Sequence, residues 1–221
     1  MTDIKKNLKT IKDKLSEEIT LVAVSKTKPN EDILEAYETG HRDFGENKIQ
    51  EMTDKYEALP KDIRWHMIGH VQRNKVKYMA KYVHLIHAVD RLKLLKEINK
   101  RAKNEERVIQ CLLQLKIAEE DSKFGLEKND LLDILKSDAL QTYDHVKIVG
   151  LMGMATFTDD ETQIHREFTQ LQNLYFELKD KHNFTTLSMG MSGDYGLALE
   201  HHTTMVRIGS KIFGKRDYDN W

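Results

Sequence analysis

The chain has 221 residues, with 35 basic and 36 acidic side chains and a formal net charge of −1. So even a balance gives no electrostatic case for nucleic acid or an anionic membrane as principal partner, and no apolar run approaches the roughly 20 residues of a membrane span. The N-terminus, Met1-Thr2-Asp3-Ile4-Lys5-Lys6, lacks the apolar core of a secretion signal. The single cysteine, Cys111, lies in the apolar run Val108-Ile109-Gln110-Cys111-Leu112-Leu113, where it has no disulfide partner and suits a reducing compartment. These features predict a soluble, cytoplasmic protein, with residues 1–221 forming one domain.

Helical and strand patterns alternate along the chain. Thr2 or Asp3 can cap a first helix with the stripe Ile4, Leu8, Ile11 and Leu15. Leu21-Val22-Ala23-Val24-Ser25-Lys26 then reads as a strand buried on both faces and stopped before Pro29. Asn30 can cap a helix carrying Ile33, Leu34 and Tyr37, ended by Gly40. Arg42-Asp43-Phe44 is a short strand, followed by a Gly45-Glu46-Asn47 turn and an amphipathic helix from Ile49 to Leu59. Arg64 to Ile68 is the third strand and Asn74 to Tyr82 a basic helix. Val83 to Val89 is the fourth strand, Leu92 to Ala102 a helix, and Arg107 to Ile117 holds the fifth strand. A loop at Asp121-Ser122-Lys123-Phe124-Gly125 precedes a helix from Asn129 to Leu140. His145 to Met152, Thr186 to Met189 and Thr204 to Ile208 are the last strands, separated by helices at Asp159–His182 and Gly193–His201.

Strands alternating with helices imply a parallel sheet with right-handed crossovers. Eight such units in this sequence point to a closed (β/α)8 barrel, with an open doubly wound sheet as the alternative. The helix before the first strand is expected to cover the barrel floor. Chemistry in such barrels sits at the C-terminal ends of the strands. That rule brings together Lys26 after the first strand, Asn47 after the second, Ser192 after the seventh, and Arg207, Gly209 and Ser210 at the eighth. A lysine closing a buried strand loses water around its ammonium, which favours the neutral amine that imine formation needs. The loops Ser188-Met189-Gly190-Met191-Ser192-Gly193 and Arg207-Ile208-Gly209-Ser210 offer glycines and hydroxyls where this fold commonly holds phosphate. An amine facing a phosphate cradle suggests pyridoxal phosphate.

Several segments carry a family resemblance. They are Ala23-Val24-Ser25-Lys26-Thr27-Lys28-Pro29, Phe44-Gly45-Glu46-Asn47, Trp65-His66-Met67-Ile68-Gly69, Gln72-Arg73-Asn74-Lys75, Val89-Asp90-Arg91, Gly150-Leu151-Met152, Leu187 to Ser192, and Met205-Val206-Arg207-Ile208-Gly209 with Ile212-Phe213-Gly214. With them the chain resembles the pyridoxal phosphate homeostasis protein family, whose barrel is similar to the N-terminal domain of alanine racemases. The resemblance implies that Lys26 carries the cofactor as an internal aldimine, that Ser192, Gly209 and Ser210 hold its phosphate, that Arg207 faces the pyridine nitrogen and that Asn47 lies beside the ring. Two departures from the family pattern are His202, where the family has glycine, and Gly69-His70-Val71-Gln72, which lacks the family's proline.

The resemblance further implies a protein that binds, buffers and hands on the cofactor, with apo-enzymes as recipients, as a monomer or weak homodimer and without established catalysis. The alternative is a racemase-like enzyme. That alternative is weakened by Arg207, which can only donate to the pyridine nitrogen, and by the end of the chain at Trp221, shortly after the eighth strand, which leaves no second domain to supply an opposing base. Other readings are weaker still. The spacing of His66 and His70 and the pair His201-His202 invite a metallohydrolase, but no acidic residue stands beside them in a ligand motif and His84 and His87 fall on opposite strand faces, so no metal is expected. The basic run Arg73, Lys75, Lys77 and Lys81 reads as a solvated helix face. Tyr195 is either a mouth contact or packing, and a purely structural protein is the cofactor-free alternative.

Overall fold

Each apolar run of the sequence becomes a short strand, and each amphipathic stretch between runs becomes a helix over it. The computed structural model describes residues 2–120 and 124–214; Asp121, Ser122 and Lys123 of the expected loop and Trp221 lie outside them. The strands are β1 (Thr20–Val24), β2 (Asp43–Glu46), β3 (Arg64–Met67), β4 (Leu85–Val89), β5 (Ile109–Gln114), β6 (Val146–Met152), β7 (Thr186–Ser188) and β8 (Met205–Ile208). They pair in parallel in sequence order, and β8 returns to β1 to close an eight-stranded barrel. The open doubly wound alternative is thereby set aside.

The helices are α1 (Ile4–Lys12), α2 (Asn30–Glu38), α3 (Ile49–Ala58), α4 (Val76–Met79), α5 (Leu92–Asn104), α6 (Lys128–Lys136), α7 (Asp138–Gln141), α8 (Glu161–His182), α9 (Tyr195–Glu200) and α10 (Ser210–Phe213). Side chains alternate across each strand, which separates two apolar clusters. Leu21, Ala23, Phe44, Trp65, Met67 and Ile86 face outward into the main core beneath the helices. Val22, Leu85, Leu112, Met152 and Met205 belong to a smaller cluster inside the barrel. Cys111 is fully buried, and burial pushes its thiol well above the usual range, which makes it an inert packing residue.

Several boundaries differ from the sequence reading, for local reasons. Asp3 caps α1 by accepting from the Lys6 amide, but Asn30 is the first residue of α2 rather than its cap, because Pro29 already holds the extended cap conformation. β2 continues through Gly45 and Glu46, since both pair with β3. The basic stretch after β3 is a 3-10 turn at Arg73–Lys75 followed by the single turn α4. The expected helix from Asn129 to Leu140 divides at Ser137, whose extended backbone lets its hydroxyl accept from the Leu140 amide and start α7.

α1 does not cover the barrel floor. It packs against α2 and α10, with Asn7 donating to the Ile212 carbonyl at 3.1 Å and Lys5 paired with Glu38 at 2.8 Å. It therefore completes the helical ring on the side where α10 is only four residues long.

His202 adopts φ 55 in the turn before β8, a left-handed conformation that glycine takes without steric cost. His202→Gly is expected to raise unfolding stability by about 0.5–1 kcal/mol in urea denaturation.

Candidate functional site

Lys26 sits two residues past β1 and is half-buried. The backbone on both sides of it is held by a buried ionic group. Lys55, on α3, donates to the Ser25 carbonyl at 2.8 Å, to Glu46 Oε1 at 2.8 Å and to Glu51 Oε1 at 2.7 Å. Ser25 Oγ donates to the same Glu46 oxygen at 2.6 Å, and the Thr27 amide donates to Glu51 Oε1 at 2.6 Å. Thr27 has φ 64, a strained conformation for a β-branched residue. The Glu51 contact holds the Thr27 amide in that conformation, so Lys26 lies in a sharp turn clamped from behind by α3.

Arg207 reaches the mouth from the opposite side of the β1–β8 seam. Its guanidinium is buried and donates to Ser188 Oγ at 2.5 Å and to the Gly153 carbonyl at 3.0 Å. Burial lowers its pKa to about 10, with the Asp194 charge acting against that shift. It therefore remains a cation at neutral pH. The Gly209 amide donates to Ser192 Oγ at 3.2 Å, which ties the loop after β7 to the loop after β8.

These groups converge on one cavity of about 680 Å³ at the C-terminal mouth, and Lys26, Asn47, Ser192, Arg207, Gly209 and Ser210 all line it. Gly69 lets the loop after β3 lie directly on Asn47, since a Cβ there would fall 2.3 Å from the Asn47 carbonyl oxygen. His70, which stands in the segment lacking the family's proline, stacks on Phe124 at 4.8 Å and faces Asp90 at 3.4 Å on the cavity rim. A second cavity of about 760 Å³ lies behind the Lys26 turn, lined by Thr27, Lys28, Glu51 and Lys55 among others; the amine, the guanidinium and the glycine loops open into the first. That set can hold a phosphorylated aldehyde: an amine for the carbonyl carbon, a fixed cation for a ring acceptor, and hydroxyls with backbone amides for an anion.

The histidines are arranged differently from the sequence reading. An acidic partner does stand beside His66: its Nε2 meets Asp43 Oδ1 at 3.0 Å. His84 and His87 do not part to opposite sides, because His84 precedes β4, and both rings lie within 5.3 Å of the His66 ring. Asp43, His66 and His84 place their donor atoms within 4.8 Å of one another. Arg64 already donates to both oxygens of Asp43, so its positive charge opposes a metal ion there. His201 is engaged by His165 at 2.7 Å and Gln172 at 3.0 Å on the surface side of α8. Tyr195 is buried, with Lys211 4.7 Å above its ring, and acts as packing beside the loops after β7 and β8. Sequence reasoning missed the Glu46–Glu51–Lys55 clamp and the polar barrel interior. The available signal was parity: His66 and His87 occupy strand positions whose neighbours on either side are apolar core.

Burial pushes the Glu46 carboxyl up to about 7, against the pull of Lys55. A raised folded-state value for an acid favours folding fully below its ordinary value of 4.5, and that contribution is lost as pH rises through about 7. Glu46→Gln is expected to remove this decline, on the order of 2 kcal/mol across that window, when urea unfolding is compared at pH 5 and pH 8.

The comparisons with known proteins agree with this fold. The family profile described as "Alanine racemase, N-terminal domain" matches residues 1–217. The chain is 39% identical to a protein of Pasteurella multocida named pyridoxal phosphate homeostasis protein, over 90% of this chain and 88% of that one. It is 36% identical to the protein of that name in Escherichia coli, over 99% of both. PipY of Synechococcus elongatus, solved with pyridoxal phosphate bound, superposes with a TM-score of 0.86 at 32% identity, covering 96% of this chain and all of that one. A Clostridium difficile alanine racemase shares the fold, with a TM-score of 0.80 at 14% identity over 99% of this chain and 57% of that one. The chain therefore belongs to the alanine racemase N-terminal domain family and, within it, to the pyridoxal phosphate homeostasis proteins.

Proposed function

We propose that the protein binds pyridoxal phosphate at the barrel mouth, attached through Lys26, and serves to store the cofactor and hand it to apo-enzymes. The observation that carries this reading is the single cavity that joins Lys26, Arg207 and the two tied glycine–serine loops. The 32% identical PipY, solved with pyridoxal phosphate bound, supports it. When bound, the cofactor supplies an aldehyde for an amine and a pyridine ring able to withdraw electrons.

This chain's residues hold the group and limit its power. Lys26 Nζ would hold the aldehyde carbon, from a turn that α3 clamps. Ser192, Gly209 and Ser210 would hold the phosphate, and Asn47 would lie against the ring. Arg207 would donate to the ring nitrogen and, remaining a cation at neutral pH, would keep it unprotonated. A ring held in that state withdraws electrons weakly, which disfavours turnover of amino acids and suits storage. The exposed Phe157 lines one side of the mouth into which Lys26 opens.

Purified protein is expected to be yellow, with a visible band that borohydride removes as it fixes the cofactor to Lys26. Lys26→Ala should lose that band, and an undiminished band in the variant overturns the assignment. In a chiral assay the loaded protein is expected to racemise alanine slowly or not at all; fast racemisation abolished by Lys26→Ala favours the racemase-like alternative.

A further inference from the structure

The interior of a barrel of this kind is ordinarily filled with branched apolar side chains, yet here a line of polar groups crosses it. Arg207 donates to Ser188 Oγ at 2.5 Å. Ser188 Oγ lies 3.3 Å from His87 Nδ1, His87 Nε2 lies 3.0 Å from His66 Nδ1, and His66 Nε2 lies 3.0 Å from Asp43 Oδ1. Arg64 closes the line by donating to Asp43 from the floor side. Ser188, His87 and His66 are buried to 1% exposure or less.

The carboxylate end, with neutral imidazoles along the line, sets the direction of every bond. A guanidinium only donates, so Ser188 Oγ accepts from Arg207 and has its own proton to give to His87 Nδ1. A carboxylate only accepts, and Arg64 and His66 hold Asp43 well below the usual carboxylate range, so His66 Nε2 carries a proton toward it. A neutral imidazole protonated on Nε2 accepts at Nδ1. His66 Nδ1 therefore accepts from His87 Nε2–H, which leaves His87 Nδ1 to accept from Ser188. The order set from the Asp43 end agrees with what the Ser188 hydroxyl can supply beside Arg207, and every donor has one acceptor. We propose that Asp43, His66, His87 and Ser188 are positioning residues for Arg207: a one-way hydrogen-bond chain from the barrel floor that fixes the orientation of the guanidinium at the mouth. The role of Arg207 toward the pyridine nitrogen rests on the function proposed above; the chain itself does not.

The first arm of the test uses cofactor-free protein. Long-range proton–nitrogen spectra at neutral pH are expected to show His66 and His87 both protonated on Nε2 alone. Protonation on Nδ1 at either residue overturns the chain. In the same samples, rotation of the Arg207 guanidinium about its Nε–Cζ bond is expected to be severalfold faster in Ser188→Ala than in wild type or Ser188→Thr, which keeps the hydroxyl; equal rates in all three overturn the positioning role. The second arm titrates pyridoxal phosphate by visible absorbance. Ser188→Ala and His87→Leu are expected to bind about three- to tenfold more weakly, the worth of one buried hydrogen bond, and His87→Gln, which can accept and donate in the same senses, to recover the loss. Unchanged affinity in both weakened variants overturns the link to the cofactor. If His87→Leu does not fold, the Ser188 pair decides. If wild type binds no cofactor, the proposed function fails while the first arm still judges the chain.

Discussion

The pairing of β8 with β1, with Val22 opposite Arg207 and Ala23 opposite Ile208, closes the barrel. Every later property of the site depends on that seam. It sets the amine that follows β1 beside the guanidinium of β8, and it brings the loops after β7 and β8 within reach of both. No contact local in sequence could do this. Parallel strands need long crossovers, so the first and last strands meet only after all the intervening units have been laid down. The helix that ordinarily completes such a ring after the last strand is short here, and α1 packs into that position, bonded to α10 through Asn7. The N-terminal helix is thus part of what holds the seam.

Around that seam the protein spends burial on polar groups in two places. Behind Lys26, the ammonium of Lys55 is shared among two carboxylates and a carbonyl. Beneath Arg207, a line of hydroxyl, imidazoles and carboxylate runs to the floor. Unpaired, groups this deep would each cost several kcal/mol. Paired, they hold the Lys26 turn and the Arg207 guanidinium from opposite sides. Thr27 shows the consequence locally, since its left-handed backbone persists because its amide is bonded to Glu51. The Glu46 carboxyl keeps one oxygen without a hydrogen-bond partner in this cluster, in accord with its raised pKa.

In the proposed function, Arg207 decides what kind of chemistry the site favours. Its burial lowers the pKa only to about 10, far from the range where it could share a proton with a pyridine nitrogen. A carboxylate in that position would stabilise the protonated ring and its electron-withdrawing power. In the proposed role the fixed guanidinium does the reverse, and a firm mooring with a weak electron sink favours keeping a cofactor over using it.

The sequence by itself determined the alternation of strands and helices, and from it the barrel, because burial on both faces of each strand and on one stripe of each helix leaves a periodic trace in one dimension. It also placed Lys26, Asn47, Ser192, Arg207, Gly209 and Ser210 at one mouth, since strand order alone says which ends converge. Strand ends were less visible: Gly45 and Glu46 look like a turn, and only pairing with β3 makes them strand. The polar partners were decided by the tertiary structure. Asp43, His66, His87 and Ser188 lie on four different strands, and Glu46, Glu51 and Lys55 meet Ser25 and Thr27 from another unit. Their hydrogen bonds depend on register and on inward parity across the closed sheet, which are set by packing between segments and leave no pattern within any one of them.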